Sequence, residues 1–202
     1  MIDLSVAILA GGKSSRMGAE KAFLKFHDKP LIRIIYDKLA TLSDDLIIII
    51  GTKAPDAFIS ALPLGARVIT DLIYTSSPIG GIISAAINSR YMYFVAIATD
   101  MPLIKPEIIK RLYNVAIGHS AAIPVLKDGK LEPLCSVYRA DDIKRLNSYS
   151  IRAAKDIIKI LPDPVLVNTE SFIDIDPELD TFFNVNTRAD YFNLLKYHAL
   201  KA

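Results

Sequence analysis

The sequence has no tryptophan or glutamine, a single cysteine, Cys135, and almost no net charge. One cysteine cannot form an internal disulfide, and the few histidines and cysteine lack the spacing of a structural zinc site. A net charge of +2 excludes a polybasic nucleic-acid-binding protein, although it leaves a local basic patch open, and we expect no nucleic acid among its partners. A chain without disulfides is typical of a reducing compartment, and we expect a cytoplasmic protein.

Long apolar runs are also missing. A membrane helix needs roughly 18 apolar residues, whereas the run Leu46–Ile50 is far shorter. The N-terminus, Met1-Ile2-Asp3, lacks the basic start of a signal peptide. We therefore expect no membrane span and no membrane partner. With 51% hydrophobic and 23% charged residues, the composition is globular and excludes disorder as the main state.

Apolar runs alternate with helical patterns in the first part of the chain. Continuous apolar runs are typical of strands covered on both faces, as in a parallel sheet. Strand–helix–strand alternation predicts an α/β fold. The predicted strands are Leu4–Leu9, Leu46–Ile50, 67–69, 94–98 and Ala121–Val125, and the predicted helices are Leu31–Leu39, 80–89 and Pro106–Ala116.

The pattern changes after residue 120. A turn at 127–130 between two apolar runs, the second at 131–138, predicts an antiparallel hairpin added to the parallel sheet. Helical patterns follow at 141–146 and 151–161, and a capping box at 187–190 precedes a final helix to about Leu200. No linker interrupts the chain, so we predict one domain over 1–202, with a mainly nucleotide-binding half (1–117) and a mainly acceptor-binding half (118–202).

A segment rich in glycine and serine, LAGGKSSRMG at 9–18, directly follows the first predicted strand. Gly11 and Gly12 allow backbone amides to approach a phosphate, while Arg16 and Lys21 add positive charge. The segment is not a Walker A loop, because position 7 is Ala7, and it is not a dinucleotide fingerprint, because its glycines are adjacent. A solvated surface turn is the alternative, but the place after the first strand favours a phosphate loop.

The predicted strand 94–98 is directly followed by Thr99-Asp100-Met101-Pro102. A carboxylate at the end of a strand beside a phosphate loop suits Mg²⁺, which binds one or two carboxylates together with phosphate oxygens and water. A capping or turn aspartate before proline is the alternative. Spacing alone does not decide between these two roles of Asp100.

The segment LAGGKSSRMGAEKAFLKFHDKPL resembles the signature of the molybdenum cofactor guanylyltransferase family, one group of the α/β nucleotidyltransferases. TDMP at 99–102 resembles the metal motif of that family. Glu20 stands where the family usually has Asp, and the double glycine differs from the LAAG that cytidylyl-transferring relatives tend to carry. The resemblance implies a three-layer, Rossmann-like nucleotidyltransferase fold with a mostly parallel sheet.

The resemblance also implies roles for residues of the first half. Asp100 would bind Mg²⁺ and, with Arg16 and Lys21, form the catalytic set. Asp71 and the SPIGGI loop at 77–82 match positions near the nucleotide base, although a loop acid and close helix–sheet packing are the alternatives. No asparagine matches the usual contact after the second strand. The nucleotide-binding residues implied are Leu9, Ala10, Gly11, Gly12, Lys21, Asp71, Gly80 and Asp100.

Two further segments resemble parts of the family that face the second substrate. The segments are EPLCSVY at 132–138 and FNVNT at 183–187. The resemblance implies that Glu132, Asn184 and Asn186 bind the acceptor. A strand-edge acid beside a proline, and helix capping or turn formation, are the alternatives. Cys135 has no histidine partner pattern, which indicates a buried packing residue rather than a nucleophile.

The implied reaction transfers GMP from GTP to the terminal phosphate of Mo-molybdopterin, forming molybdopterin guanine dinucleotide and releasing pyrophosphate. GTP and Mo-molybdopterin are then the partners, Mg²⁺ the cofactor, and molybdoenzymes or their chaperones remain open as further partners. Three alternatives remain: a cytidylyltransferase or sugar-phosphate nucleotidyltransferase of the same fold, a non-catalytic nucleotide-binding module that delivers cofactor, and, disfavoured by its glycine pattern, a nicotinamide oxidoreductase.

Overall fold

The computed structural model of the chain describes residues 1–10, 21–51, 62, 66–71, 78–148 and 154–199. Over these residues seven strands form one sheet, in the order β5-β4-β1-β6-β8-β7-β9, and two short strands, β2 and β3, form a separate ribbon. The strands are β1 (Leu4–Leu9), β2 (Lys25–Phe26), β3 (Lys29–Pro30), β4 (Leu46–Ile50), β5 (Arg67–Thr70), β6 (Tyr93–Ala98), β7 (Ala121–Val125), β8 (Cys135–Arg139) and β9 (Pro164–Asn168).

Strands β5, β4, β1 and β6 run parallel to one another. Because β1 comes first in the chain but lies between β4 and β6, the order of connections reverses between β1 and β6. Open α/β sheets bind ligands beyond the carboxyl ends of the strands at such a reversal. Leu9 and Ala98 pair at this point, so the crevice is expected where these two residues end their strands.

Helices cover both faces of the sheet. The helices are α1 (Leu31–Leu39), α2 (Ile79–Asn88), α3 (Pro106–Ala116), α4 (Ala140–Lys144) and α5 (Arg188–Ala199). Leu4, Val6 and Ile8 of β1 pack in one core with α1 and α3, whereas Ala7 and Leu9 pack in a second core with α2 and α4. Alternate residues of a strand point to opposite faces, so the all-apolar β1 is buried on both. The predicted three-layer α/β fold is confirmed.

The predicted antiparallel hairpin is present, but its second strand is shorter than the run 131–138. β8 begins only at Cys135 and is antiparallel to both β6 and β7. Leu131 makes a single isolated bridge to Val125. Between them the carbonyl of Glu132 accepts a hydrogen bond from the amide of Cys135, 3.1 Å away, and Pro133 has no amide to donate. This local turn replaces the first half of the predicted strand.

Other predictions for the second half hold in part. Residues 141–146 belong to α4 and a following 3₁₀ turn, and the described part of 151–161 forms a 3₁₀ helix, Ala154–Lys159, rather than an α-helix. The capping box is confirmed: Thr187 Oγ1 accepts from the Asp190 amide at 3.1 Å, and the Asp190 carboxylate accepts from the Thr187 amide at 2.7 Å. The edge strand β9, which begins with a proline, was not predicted.

Among the described helices, none combines the length and apolar character needed to span a bilayer.

All five strands predicted from apolar runs are present within one residue of their predicted bounds. The division of the chain into a nucleotide-binding and an acceptor-binding half stays a prediction.

Candidate active site

Three side chains from distant parts of the chain meet beyond the carboxyl ends of β1 and β6. Lys21 begins a short 3₁₀ helix, Asp100 follows β6, and Asn186 precedes α5. The Lys21 ammonium lies 3.0 Å from Asp100 Oδ2 and 2.7 Å from Asn186 Oδ1. The side chains of Lys21 and Asp100 are 21% and 18% exposed. The structure therefore brings together three of the residues predicted for catalysis and acceptor binding.

Asp100 is held at this position by the main chain. It follows the fully buried strand β6, and its carbonyl accepts a hydrogen bond from the amide of Val185 at 2.8 Å. Its Oδ1 atom is buried and has no hydrogen-bond partner among the described residues, while Oδ2 pairs with Lys21. A buried carboxylate oxygen without a donor is costly. The unpaired oxygen of Asp100 therefore favours binding of a cation over a purely structural role.

The donor set around Asp100 fits Mg²⁺. This ion binds few protein carboxylates and completes its shell with phosphate oxygens and water, and Asp100 Oδ1 is available for it. Asn186 Oδ1 is a second oxygen in the same place, since both residues contact the Lys21 ammonium. The described residues contain no group of three or more His, Cys, Asp or Glu that could hold a metal by themselves, so a bound Mg²⁺ here would depend on substrate oxygens.

Glu132 and Asn184 form the neighbouring pair of the site. Asn184 Nδ2 donates to Glu132 Oε2 at 3.3 Å and to the Phe182 carbonyl at 3.2 Å. Burial, together with the negative charge of Asp100, raises the pKa of Glu132 from 4.5 to about 7, although the hydrogen bond from Asn184 acts in the opposite direction. Asn184 lies two residues before Asn186 in the same segment, so this pair adjoins the contact between Asn186 and Lys21.

The capping box of α5 fixes the position of Asn186. The Asp190 carboxylate accepts from the amides of Asn186 at 2.9 Å and Thr187 at 2.7 Å. Burial acts to raise the pKa of Asp190, but hydrogen bonds from Thr187 and Asn186 and the nearby Lys21 hold that pKa below its ordinary value. Thr187 caps the helix, so the side chain of the preceding residue, Asn186, is not used for capping and contacts Lys21 instead.

The loop after Asp100 is supported by two lysines that the sequence did not reveal. Lys38 of α1 donates to the Pro102 carbonyl at 2.8 Å, and burial, followed by the charge of Lys105, lowers its pKa. The Lys105 ammonium lies 2.7 Å from the buried carboxylate of Asp176. No motif carried a signal for these contacts, because each joins residues far apart in the chain.

The residues predicted to bind the nucleotide are only partly described. Gly11, Gly12 and Arg16 lie outside the described residues. Leu9 is buried at the end of β1, and the Ala10 amide donates to the Ile49 carbonyl at 2.8 Å. Both residues therefore stand at the expected edge of the sheet, and their contact with a nucleotide stays a prediction.

Asp71 and Gly80 lie at the ends of neighbouring elements. Ser84 of α2 donates to Asp71 Oδ1 at 2.8 Å, so a helix hydroxyl orients this acid. Gly80 is buried in the first turn of α2. A Cβ atom added at the next residue, Gly81, would lie 3.3 Å from Leu9 Cδ2, which supports close helix–sheet packing as the reason for that glycine. Base contacts of Asp71 and Gly80 stay predictions.

Cys135 behaves as predicted. It is fully buried in β8, and burial raises the pKa of its thiol well above the ordinary value. A thiol that stays protonated is a poor nucleophile, so Cys135 is a packing residue.

Comparisons with known proteins identify the family of the chain. The family model of the MobA-like NTP transferase domain matches residues 6–165. A probable molybdenum cofactor guanylyltransferase of Carboxydothermus hydrogenoformans is 33% identical over 206 residues, covering 100% of both chains. Another from Methanosarcina mazei is 30% identical over 207 residues, covering 95% of this chain and 89% of the relative.

A solved structure is similar over almost the whole chain. It is the crystal structure of molybdopterin-guanine dinucleotide biosynthesis protein A from Archaeoglobus fulgidus, with a TM-score of 0.82 and 28% identity, covering 97% of this chain and 99% of that one. Sequence and fold comparisons thus point to the same group of proteins.

Proposed function

The chain belongs to the MobA-like NTP transferase family and is a nucleotidyltransferase, and from this premise we propose that it transfers GMP from GTP to the terminal phosphate of Mo-molybdopterin and releases pyrophosphate. The observation that carries the proposal is the meeting of Lys21, Asp100 and Asn186 beyond β1 and β6. Its full-length relatives named molybdenum cofactor guanylyltransferase support the choice of both substrates.

The acceptor is a phosphate, so it already carries the negative charge of a nucleophile and needs little deprotonation. The main obstacle is the repulsion between this phosphate and the triphosphate of GTP. Lys21, together with Arg16, would offset that repulsion and the charge that develops on the leaving pyrophosphate. No covalent intermediate on the protein is required, in agreement with the protonated, buried thiol of Cys135.

Asp100 would hold Mg²⁺ through its unpaired oxygen, and Asn186 would add a second oxygen on the same side. The ion, when bound, supplies positive charge to the phosphate oxygens. Lys21 contacts the other carboxylate oxygen, Asp100 Oδ2, and Asn186 Oδ1, so its ammonium would shift toward the triphosphate when nucleotide and ion bind. Holding both substrates in line in one crevice would supply much of the remaining acceleration.

The two substrates would occupy opposite sides of this centre. On the nucleotide side we place the carboxyl end of β1 and the start of α2. Guanine has an acceptor at O6 and donors at N1 and N2, a pattern that cytosine does not share, and backbone groups near α2 could read it. The acceptor would lie near Glu132, Asn184 and Asn186. The nucleotide-side residues are Leu9, Ala10, Gly11, Gly12, Asp71 and Gly80.

Pyrophosphate release tests the proposal directly. The purified chain would be incubated with Mg²⁺ and purified Mo-molybdopterin, and with GTP, CTP or UTP in parallel. We expect pyrophosphate with GTP at least ten times faster than with CTP or UTP, and only when molybdopterin is present. Faster use of CTP would identify a cytidylyltransferase, and binding of GTP without any turnover would identify a delivery module.

A further inference from the structure

The backbone of Glu132 is held in place by hydrogen bonds that involve both of its main-chain groups. Its amide donates to the Pro124 carbonyl at 3.0 Å, and its carbonyl accepts from the Cys135 amide at 3.1 Å. The Ser136 hydroxyl donates to the same carbonyl at 2.7 Å. Two main-chain hydrogen bonds and one from the Ser136 hydroxyl therefore hold the backbone of Glu132 against β7 and β8.

The Glu132 carboxylate lies in an unfavourable place. It is partly buried, and Asp100 adds a like charge nearby. Burial and a neighbouring carboxylate both penalise the ionised form. Residues that are costly to the fold in this way cluster at functional sites, so a role beyond packing is indicated.

The partner of this carboxylate has a defined orientation. Asn184 Nδ2 faces two acceptors, Glu132 Oε2 and the Phe182 carbonyl, and an amide oxygen in that place would meet two oxygens. The assignment of nitrogen and oxygen in the amide therefore follows from its partners. Asn184 Oδ1 accepts no hydrogen bond from any described residue and is left for another donor.

We propose that Glu132 is a positioning residue, which holds the Asn184 amide so that its Oδ1 accepts a hydrogen bond from an N–H or NH₂ group on the heterocyclic ring of the acceptor. Phe182 alone would engage only one N–H of the amide and would permit rotation, whereas two acceptors lock the group. Glu132 thereby acts through Asn184 and does not itself contact the acceptor. The identity of this acceptor rests on the function proposed above.

The enzymatic test uses side chains of matched size. Glu132→Met fills the same space without an acceptor oxygen, while Glu132→Gln keeps one. We expect Glu132→Met to raise the KM for molybdopterin about tenfold with the Kd of Mg²⁺–GTP within about twofold of the wild type, and Glu132→Gln to restore that KM to within about threefold. Glu170→Gln is the control, because Glu170 also pairs with an asparagine, Asn168, but on the exposed surface.

A double-mutant cycle tests whether Glu132 acts through Asn184. Asn184→Ala should raise the KM as much as Glu132→Met, and combining both changes should add less than about twofold. Independent, multiplied effects would overturn the proposal, as would an equal loss of Mg²⁺–GTP affinity in Glu132→Met.

The side-chain NH₂ signals of Asn184 in a nitrogen-15 NMR spectrum test the orientation without any substrate. They are assigned by their absence in Asn184→Ala. We expect them to move in Glu132→Met and to return close to the wild-type position in Glu132→Gln; unchanged signals in Glu132→Met would overturn the proposal. If the signals move but the wild type does not use molybdopterin, the positioning role stands and the proposed function fails.

Discussion

Two aspartates lie at opposite ends of the parallel strands, and their carboxylates have very different hydrogen-bond partners. Asp45 precedes β4, and its side chain is 1% exposed. Its carboxylate accepts from the Ser5 hydroxyl at 2.6 Å, from the Arg90 amide at 2.9 Å and from the Arg67 guanidinium. Both of its oxygens are therefore paired with donors inside the protein.

Asp100, at the carboxyl ends, has one oxygen paired with Lys21, and its other oxygen is buried with no partner in the part of the chain that the structure describes. A fully paired buried carboxylate stabilises the native arrangement, whereas an incompletely paired one is available to a ligand. The comparison separates an acid that supports the fold from an acid that serves the reaction.

Asp100→Asn should have the largest effect on activity. An amide is a weaker metal ligand and carries no charge, so we expect turnover at saturating GTP and Mg²⁺ to fall by about 10³-fold, on the scale of a lost charge-stabilising group. The free energy of unfolding should change by no more than about 1 kcal/mol, because the ion pair with Lys21 is partly exposed. Turnover within about twofold of the wild type would reject the metal role.

Lys21→Ala should follow. We expect it to lose roughly 2–4 kcal/mol of transition-state stabilisation, measured as kcat/KM for GTP. Lys29→Ala is a suitable control, because the Lys29 ammonium pairs with Asp37 on the exposed surface. An equal fall in the control, or no fall in Lys21→Ala, would contradict a direct role of this ammonium.

Asp45→Ala should show the reverse profile. Removing this buried carboxylate leaves the buried Ser5 hydroxyl without its acceptor, while the partly exposed Arg67 keeps the Asn88 carbonyl, and we expect a loss of about 2–4 kcal/mol in unfolding free energy. Activity per folded molecule should stay within about twofold. Urea unfolding followed by circular dichroism measures the first quantity. A stable Asp45→Ala variant would show that the pairing at this end matters little.

The smallest expected effect is the pH dependence that Glu132 contributes. Its pKa is 4.5 when unfolded and about 7 in the fold, so the native state binds more protons between these values and loses stability as pH rises through them. Glu132→Gln removes this loss. The stability of the variant relative to the wild type should rise by about 1–3 kcal/mol from pH 4.5 to 7.5, measured without Mg²⁺. A flat or falling difference would contradict the burial of this carboxylate.

Sequence patterns predicted much of the fold because its strands are buried on both faces. Apolar composition alone is enough to predict a strand at runs such as Leu46–Ile50, and the capping box at Thr187 and Asp190 has a local sequence signature. The edge strand β9 has half-exposed residues and begins with proline, so it lacks that signal. The turn at Glu132 arises from hydrogen bonds among residues within the run, which apolar composition does not show.

The candidate site was predictable only where residues carry a motif. Lys21, Asp100 and Asn186 were each named from short segments, and the structure brings them into contact. The contacts join residues that are 79 and 165 positions apart in the sequence, and no local pattern encodes contacts over such separations. The support from Lys38 and Lys105 was missed for the same reason.

The most direct measurement is a crystal structure of the chain soaked with GTP and Mn²⁺, in which the anomalous signal locates the ion. We expect a peak at coordination distance, about 2.1 Å, from Asp100 Oδ1, beside a triphosphate that lies beyond Leu9 and Ala98. An ion and triphosphate bound elsewhere, with Lys21 still joined to Asp100 and Asn186, would contradict this expectation.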